Sequence, residues 1–381
     1  MEAHVIGRDG LGSLVDVLRR RGYTVVGPTR RDAAIVYDEV TSDLDLPAGW
    51  TDEQGPATYR LRARGDGALF GYAVGPHAWK RFLSPPIERL WTARRVNGGF
   101  ALEADSPSIP KYALLGVRAC DLAAIALLDR VFLEGPFVEP GYRARREALV
   151  VIAVNCATGG RTCFCVSMGT GPRATSGFDL ALTEMLDGDR HEFVVEVGSV
   201  RGGTLLEELP HRPATPDDVA AIDRVAEEAA AAMGRVVETE GLRDRLYANL
   251  DHPRWDQVAG RCLSCANCTM VCPTCFCTTV DDTTDLTGQQ AERRRRWDSC
   301  HTRAFSYIHG GCLRSSARAR YRHWLTHKLA GWHDQFGSSG CVGCGRCITW
   351  CPVGIDITEE AAAIRAATPA RPAHRTTGGG A

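Results

Sequence analysis

Sixteen cysteines are the residues of this 381-residue sequence whose type and spacing point most directly to chemistry. Four of them lie between Cys120 and Cys165, and the other twelve lie between Cys262 and Cys351. Disulfide scaffolds are mostly short secreted chains, whereas clustered cysteines in a longer cytosolic chain more often bind metals or carry redox chemistry. The distribution therefore predicts separate metal or redox sites.

Two runs of four cysteines share one spacing, in which three cysteines at x2 intervals are followed after x3 by a Cys-Pro pair. The runs are Cys262, Cys265, Cys268 and Cys272-Pro273, and Cys341, Cys344, Cys347 and Cys351-Pro352. Bacterial-type ferredoxins hold [4Fe–4S] clusters with this run: one tight loop reaches three corners of a cluster, and the fourth cysteine reaches the other cluster. We therefore predict two clusters, one held by Cys262, Cys265, Cys268 and Cys351 and the other by Cys341, Cys344, Cys347 and Cys272.

Tetrahedral zinc is the alternative for these cysteines, because paired Cys-x2-Cys elements also bind zinc. Two intact runs that both end in Cys-Pro are far more specific for iron–sulfur than one such pair. Gly343 and Gly345 also allow backbone N–H groups to approach the sulfurs, and a buried anionic cluster needs such donors. We therefore favour iron–sulfur clusters over structural zinc at both runs.

A third site is predicted in the first half of the chain. Cys156, Cys163 and Cys165 lie within ten residues, and Cys156 and Cys120 each follow a short apolar segment typical of a buried strand. Ligands of open parallel sheets collect at the carboxyl ends of strands, and four thiols are the number that a [4Fe–4S] cluster needs. The four cysteines are therefore predicted to bind a third cluster. Structural zinc, a redox-active cysteine pair and simple burial of small side chains are the alternatives.

Four cysteines have no place in these sets. Cys275 and Cys277 follow the first run so closely that we expect both near the clusters, in a packing role or as exchangeable ligands. Cys300 and Cys312 are unassigned, and Cys312 has no supporting context. His323 and His327, spaced i, i+4, share a helix face, but without a third ligand they are better explained as surface or core residues.

The elements that position these cysteines differ between the two halves of the chain. Apolar spacing at 11–18 predicts a helix, and residues 23–26, 33–37, 113–117 and 148–154 have the composition of strands. Another helix is predicted from about Cys120 to Phe132. Thr215 and Pro216 begin a predicted helix that runs towards Leu250.

Between the two runs, residues 293–305 and 317–336 are predicted to be helical, which favours an α-helical dicluster domain over the small β-hairpin type. We therefore predict an α+β fold. Its parts are an N-terminal α/β domain with the third site at 1–210, a helical linker at 211–250, an α-helical ferredoxin-like 4Fe-4S dicluster domain at 251–367 and a disordered tail at 368–381.

Composition narrows the function classes. Lys and Arg number 45 against 46 Asp and Glu, and this balance argues against a nucleic-acid binder, which should show a basic excess. We find no apolar run near the ~18 residues of a membrane span and no apolar stretch at the N-terminus, so we expect a cytoplasmic protein. The sequence contains no P-loop and no signature of a hydrolytic triad or paired carboxylates.

Several segments together resemble a known family. They are residues 75–83 (GPHAWKRFL), 116–121 (GVRACD), 163–165 (CFC), 297–300 (WDSC) and 341–356. These segments are similar to the β (iron–sulfur) subunit of cytosolic group 3 nickel–iron hydrogenases, also called sulfhydrogenases, and the resemblance covers nearly the whole chain. The related iron–sulfur subunit of anaerobic sulfite reductase is similar in the same regions. Ala119 departs from the family pattern, where Pro is expected before Cys120.

The resemblance implies an electron-transfer subunit of an oxidoreductase complex with no substrate site of its own. Its partners would be a flavin subunit that uses NAD(P)H and a nickel–iron catalytic pair, with a sulfite reductase as the alternative partner. The resemblance also supports cluster binding at Cys120, Cys156, Cys163 and Cys165, which fall in the family's segments. An alternative from a different class is a structural zinc protein that organises a complex.

Overall fold

The structure is a computed structural model that describes residues 2–104, 109–188 and 190–366. Its strands are β1 (Ala3–Gly7), β2 (Thr24–Arg31), β3 (Ala34–Glu39), β4 (Trp50–Gly55), β5 (Thr58–Ala63), β6 (Ile87–Val96), β7 (Gly99–Ala104), β8 (Tyr112–Val117), β9 (Val150–Val154), β10 (Leu180–Asp187), β11 (Arg190–Val197), β12 (Arg212–Pro213), β13 (Thr278–Thr284), β14 (Gln290–Trp297), β15 (Tyr307–Ile308) and β16 (Gly311–Cys312). Its α-helices are α1 (Arg8–Arg20), α2 (Lys80–Leu83), α3 (Ala119–Phe132), α4 (Pro140–Ala148), α5 (Val200–Leu206), α6 (Pro216–Ala231), α7 (Leu242–Ala248), α8 (Arg254–Arg261), α9 (Asn267–Met270), α10 (Ala317–Thr326), α11 (Trp332–Phe336), α12 (Arg346–Thr349) and α13 (Ile357–Arg365).

An eight-stranded sheet organises the first half of the chain, in the order β12-β1-β11-β10-β9-β8-β2-β3. Its centre is parallel, since β10 pairs with β9, β9 with β8 and β8 with β2. Its outer pairs are antiparallel. Every residue of β9 is buried, as expected for a parallel strand that is covered on both faces. The predicted strands at 23–26, 33–37, 113–117 and 148–154 are confirmed, and so is the α+β fold class.

A second sheet, in the order β13-β14-β6-β7, joins the two halves of the chain. The prediction of a helix over residues 293–305 is wrong, because most of that segment belongs to β14 and the turn after it. Arg is a good helix former, but tertiary pairing overrides that propensity here. Arg293 lies opposite Asp282 of β13, with Nη2 2.7 Å from its carboxylate, and Arg295 pairs with Glu139 at 3.1 Å. The cross-strand Arg293–Asp282 pair stabilises the hairpin, and the Arg295–Glu139 pair connects β14 to the N-terminus of α4.

The other predicted helices fare differently. Residues 317–336 are helical as predicted, forming α10, a π-helical turn at His327–Gly331 and α11. Thr215 caps α6 in a capping box with Asp218, as its sequence indicates. The helix does not run to Leu250: it ends at Ala231, and Gly234 then packs so closely on Arg161 that an added Cβ would lie 2.0 Å from the Arg161 carbonyl oxygen. The predicted tail at 368–381 lies outside the described residues.

Buried side chains from both halves meet at the carboxyl end of the parallel strands. Val74, Cys120 and Cys165 from the first half pack there with Val342 and Cys344 from the second cysteine run. The fold therefore places cysteines that are distant in sequence against one another. Within the part of the chain that the structure describes, no helix has the length and apolar character needed to cross a bilayer.

Candidate iron–sulfur centres

The first cavity lies in the loop between α8 and α9. Three cysteines of the first run and the fourth of the second run line it, namely Cys262, Cys265, Cys268 and Cys351. The loop turns tightly because Ser264 and Ala266 adopt positive φ angles of 52° and 68°. The cavity therefore brings together the four cysteines that the sequence assigns to one cluster, and their role as ligands stays a prediction.

The second cavity collects the complementary set, which is Cys341, Cys344, Cys347 and Cys272. The loop of the second run lies against the first half of the chain at Gly343 and Gly345, which have φ angles of 67° and 72°. A Cβ at Gly343 would lie 2.6 Å from the Cys165 backbone nitrogen, and a Cβ at Gly345 would lie 2.4 Å from the Thr162 carbonyl oxygen. Only glycine fits this close backbone approach.

The two cavities are neighbours with different walls. Cys347 lines both of them, so any groups bound there would be close. His301, Tyr321 and Trp324 complete the first cavity, whereas Lys328 and Phe164 are in the wall of the second. The first cavity thus has an aromatic wall, and the second contains a buried cation.

The third set of cysteines lies at the carboxyl ends of two neighbouring parallel strands. Cys120 is in the first turn of α3 just after β8, and Cys156 follows β9 by two residues. Cys163 and Cys165 come from the loop that crosses these strand ends, and both side chains are buried. The Cys165 thiol interacts electrostatically with those of Cys156 and Cys163, and the Cys120 thiol interacts with that of Cys165. The structure therefore brings together the four predicted residues.

The third set packs directly on the second cavity. The Cys163 sulfur lies 3.8 Å from the Cys344 carbonyl oxygen, and the Phe164 backbone N–H donates to the Gly343 carbonyl at 2.8 Å. The Thr170 hydroxyl donates to the Val342 carbonyl at 2.7 Å. The three cysteine sets are thus contiguous, with the second cavity in the middle.

Burial and charge give the thiols different acidities. Burial raises the pKa of Cys341 to about 12, and burial with the nearby Cys156 raises that of Cys163 to about 12. Cys272 is the exception: a hydrogen bond from the Cys275 thiol, aided by the Lys328 ammonium, holds its pKa well below the usual range. Cluster binding requires thiolates. The thiols whose pKa is raised therefore need the positive charge of a bound metal to ionise, whereas the lowered pKa of Cys272 already favours its thiolate.

Several buried charges at these sites were not found by sequence reasoning. Arg346 forms a bidentate ion pair with Asp121 at 2.8 and 2.9 Å, and both side chains are fully buried. Arg118, also fully buried, donates to the carbonyl oxygens of Phe70, Tyr72 and Asn155. For the buried cation of the second cavity, Lys328, the sequence did offer a signal. This chain uses arginine for almost all of its basic residues, so its few lysines stand out.

The unassigned cysteines fall into two groups. Cys275 is hydrogen-bonded to Cys272, and Cys277 is hydrogen-bonded to Cys300, so three of them lie next to the first run. Cys312 lies apart in the β15–β16 hairpin, where its sulfur is 3.2 Å from the Ser306 hydroxyl and 3.1 Å from the Arg303 carbonyl oxygen. None of the sixteen cysteines forms a disulfide.

Replacing Cys312 with serine is expected to leave the iron content unchanged. Its sulfur forms hydrogen bonds with two atoms of the hairpin region, and a serine hydroxyl can replace both bonds. Iron and acid-labile sulfide per chain, measured after anaerobic purification, check this expectation. A loss of about four iron atoms would show that the set of ligand residues is wrong.

His323 and His327 lie on one helix face with parallel rings, 5.6 Å between centroids. Burial lowers the pKa of His323 to about 4, so this side chain is neutral. Among the described ranges 2–104, 109–188 and 190–366, no three His, Cys, Asp or Glu side chains are arranged to hold a single metal ion. The histidine pair therefore stays without an assigned metal role.

Comparison with known proteins gives one match to the part of the chain with the two cysteine runs and one match to most of the chain. A family model described as a 4Fe-4S dicluster domain matches residues 261–355, which include both cysteine runs. The chain is 31% identical over 335 residues to sulfhydrogenase 2 subunit beta of Pyrococcus furiosus, an alignment that covers 87% of this chain and 89% of that protein. No solved structure matches the chain significantly.

Proposed function

Because the chain belongs to the sulfhydrogenase β-subunit family, we propose that this iron–sulfur subunit relays electrons between a flavin subunit that uses NAD(P)H and a nickel–iron catalytic module. Its dicluster domain implies two [4Fe–4S] clusters and electron transfer. A third cluster at Cys120, Cys156, Cys163 and Cys165, the ligand sets given above and a cytoplasmic location belong to the proposal. So does the absence of a substrate site of its own.

The contiguity of the three cysteine sets carries this proposal. Cys347 lines both the first and the second cavity, and Cys344 packs with Cys120 and Cys165 of the third set. A row of adjacent redox groups is what a relay needs, because it divides a long transfer into short steps. The two ends of the row differ from each other in solvent exposure: Cys265 of the first cavity is exposed, whereas Cys163 and Cys165 of the third set are buried.

The clusters, when bound, accept and release single electrons. The chain's own residues hold the thiolates, exclude water and place charges around them. The two-glycine loop at Gly343 and Gly345 brings the second run against the third set, and the buried Arg346–Asp121 pair fixes the two segments relative to each other. These residues set the distance between the second cavity and the third set.

Metal analysis of the purified chain tests the proposal. We expect about 8 to 12 iron atoms and an equal amount of acid-labile sulfide per chain, corresponding to two or three four-iron clusters. Anaerobic purification followed by iron, zinc and sulfide determination provides the measurement. Zinc without sulfide would contradict the relay. An iron content near eight would remove only the third cluster.

The partners require a separate test. Affinity purification of the tagged chain from its source should recover a flavin protein and a nickel-containing protein together. The recovered complex should reduce NAD(P)⁺ with hydrogen. Recovery of a siroheme reductase in place of the nickel protein would transfer the relay to sulfite reduction and contradict the nickel–iron assignment.

A further inference from the structure

Lysine is rare in this chain and concentrated at one place. The sequence contains 45 Lys and Arg residues, of which only Lys80, Lys111 and Lys328 are lysines. Lys111 is exposed, but Lys80 and Lys328 are each only 5% exposed and both lie beside the turn that contains Cys272 and Cys275. Burial of an ammonium group is costly unless it has partners, so two buried lysines at one turn indicate a specific role for the charge.

The contacts of Lys328 show what that role is. Its Nζ lies 3.1 Å from the Cys272 sulfur, 3.0 Å from the Thr274 hydroxyl and 3.4 Å from the Gly340 carbonyl oxygen. The three N–H donors of an ammonium group match these three acceptors, whereas the planar fork of arginine does not. Lys328 extends from the π-helical turn at His327–Gly331, a rare element that occurs frequently at functional sites.

We propose that Lys328 raises the reduction potential of the cluster of the second cavity above that of the first, so that an electron resides preferentially on the middle group of the relay. The inference rests on the proposed binding of clusters by the two cysteine runs. Reduction adds negative charge to a cluster, and a buried cation that donates a hydrogen bond to a ligand sulfur stabilises the reduced form. Low dielectric around the buried pair strengthens this effect.

The first cavity lacks an equivalent group among the described residues that line it. Its buried imidazole, His301, has a pKa lowered to about 4 by burial and is therefore neutral. The Arg320 guanidinium contacts the wall of this cavity at the Ser264 hydroxyl, to which it donates at 3.2 Å, and it also donates to two main-chain carbonyl oxygens. Within the described part of the chain, the sulfurs of Cys262 and Cys351 accept only from neutral backbone N–H groups, those of Ser264 at 3.4 Å and Ile355 at 3.3 Å. The two cavities thus differ in the charge of the donor to a cysteine sulfur rather than in the number or type of cysteines.

Lys80 provides a matched control within the same turn. Its Nζ donates to the carbonyl oxygens of Thr269 and Cys275 at 3.2 and 2.9 Å and lies 4.2 Å from the centre of the Trp297 ring. Lys80 is therefore as buried as Lys328 but donates to oxygen rather than to sulfur. A comparison of the two lysines separates the hydrogen bond to sulfur from the general effect of a nearby buried charge.

The test is a redox titration of the full chain, monitored by electron paramagnetic resonance, with Lys328→Met and Lys80→Met. In Lys328→Met the equilibrium constant for reduction of one cluster should fall at least tenfold, which is 59 mV for a one-electron couple. Lys80→Met should change it less than threefold, and Lys328→Arg should restore part of the shift. Unchanged potentials in Lys328→Met, or equal shifts in both methionine variants, would overturn the proposal.

A second measurement uses the unaltered protein and does not depend on a variant that folds. Labelling with ¹⁵N-lysine marks only three positions, so pulsed electron paramagnetic resonance of the reduced protein should detect a ¹⁵N coupling on one cluster. No coupling would overturn the proposal even if Lys328→Met does not assemble. Iron and sulfide contents separate the two ideas: a protein without clusters contradicts the relay itself, whereas intact clusters without coupling contradict only the role of Lys328.

Discussion

Cys344→Ser is expected to remove the cluster of the second cavity and to stop electron transfer through the chain. The Cys344 side chain lines that cavity and is buried, so a serine hydroxyl there replaces the proposed thiolate ligand by a group that does not ionise at neutral pH. The loss should amount to about four iron atoms per chain. Iron content and the rate of NAD(P)H-dependent reduction of an artificial acceptor by the assembled complex provide the measurements.

The large effect on transfer follows from the position of the second cavity. It shares Cys347 with the first cavity, and Cys344 packs with the third set at Cys120 and Cys165. Loss of the middle group separates the two outer ones, whereas loss of a terminal group would leave two neighbours intact. Cys312→Ser is the matched control, since it makes the same chemical change in a hairpin outside the cavities. Full iron content and an unchanged rate in Cys344→Ser would show that the middle position is not a ligand site.

Local spacing predicted the centre of this site well. Cysteines at x2 intervals share one loop, so the first three members of each run necessarily lie close together. The same ferredoxin geometry predicted that the fourth cysteine of each run lies with the first three of the other run. The strand ends that carry Cys120 and Cys156 were also predictable, because continuous apolar segments such as Val150–Val154 are typical of buried parallel strands. The structure collects each of these groups of cysteines as the sequence indicates.

Long-range pairings account for what sequence reasoning missed. Arg346 and Asp121 are 225 positions apart in the chain, and Lys328 and Cys272 are 56 apart. Periodicity and spacing describe neighbours in one segment, so they carry no signal for partners in separate segments. The helix prediction for the segment that contains the arginine run at 293–296 was wrong for the same reason. Pairing with β6 and β13 decides the conformation of this run, and single-residue helix propensity is too weak to oppose it.

Breaking the Arg346–Asp121 pair is expected to destabilise the junction between the two halves of the chain. Both side chains are fully buried, and Arg346 also donates to the Gly75 carbonyl at 3.2 Å. Arg346→Met leaves the Asp121 carboxylate buried without its cation, and removal of one partner of a buried pair costs about 3–5 kcal/mol. Anaerobic denaturant unfolding of the loaded chain, followed by the cluster absorbance, measures the change.

A double-mutant cycle separates the pair from its surroundings. Asp121→Leu combined with Arg346→Met replaces both charges by apolar groups of similar size, so the double variant should recover much of the stability that either single variant loses. Three segments meet at this pair: Asp121 follows Cys120, Arg346 lies between Cys344 and Cys347, and the Tyr37 hydroxyl is 3.4 Å from the guanidinium. The single variants should therefore also lower iron retention at the second cavity and the third set, while the first cavity keeps its cluster. Additive losses in the double variant would contradict a coupled pair, and iron loss confined to the first cavity would contradict its position between the other two sites.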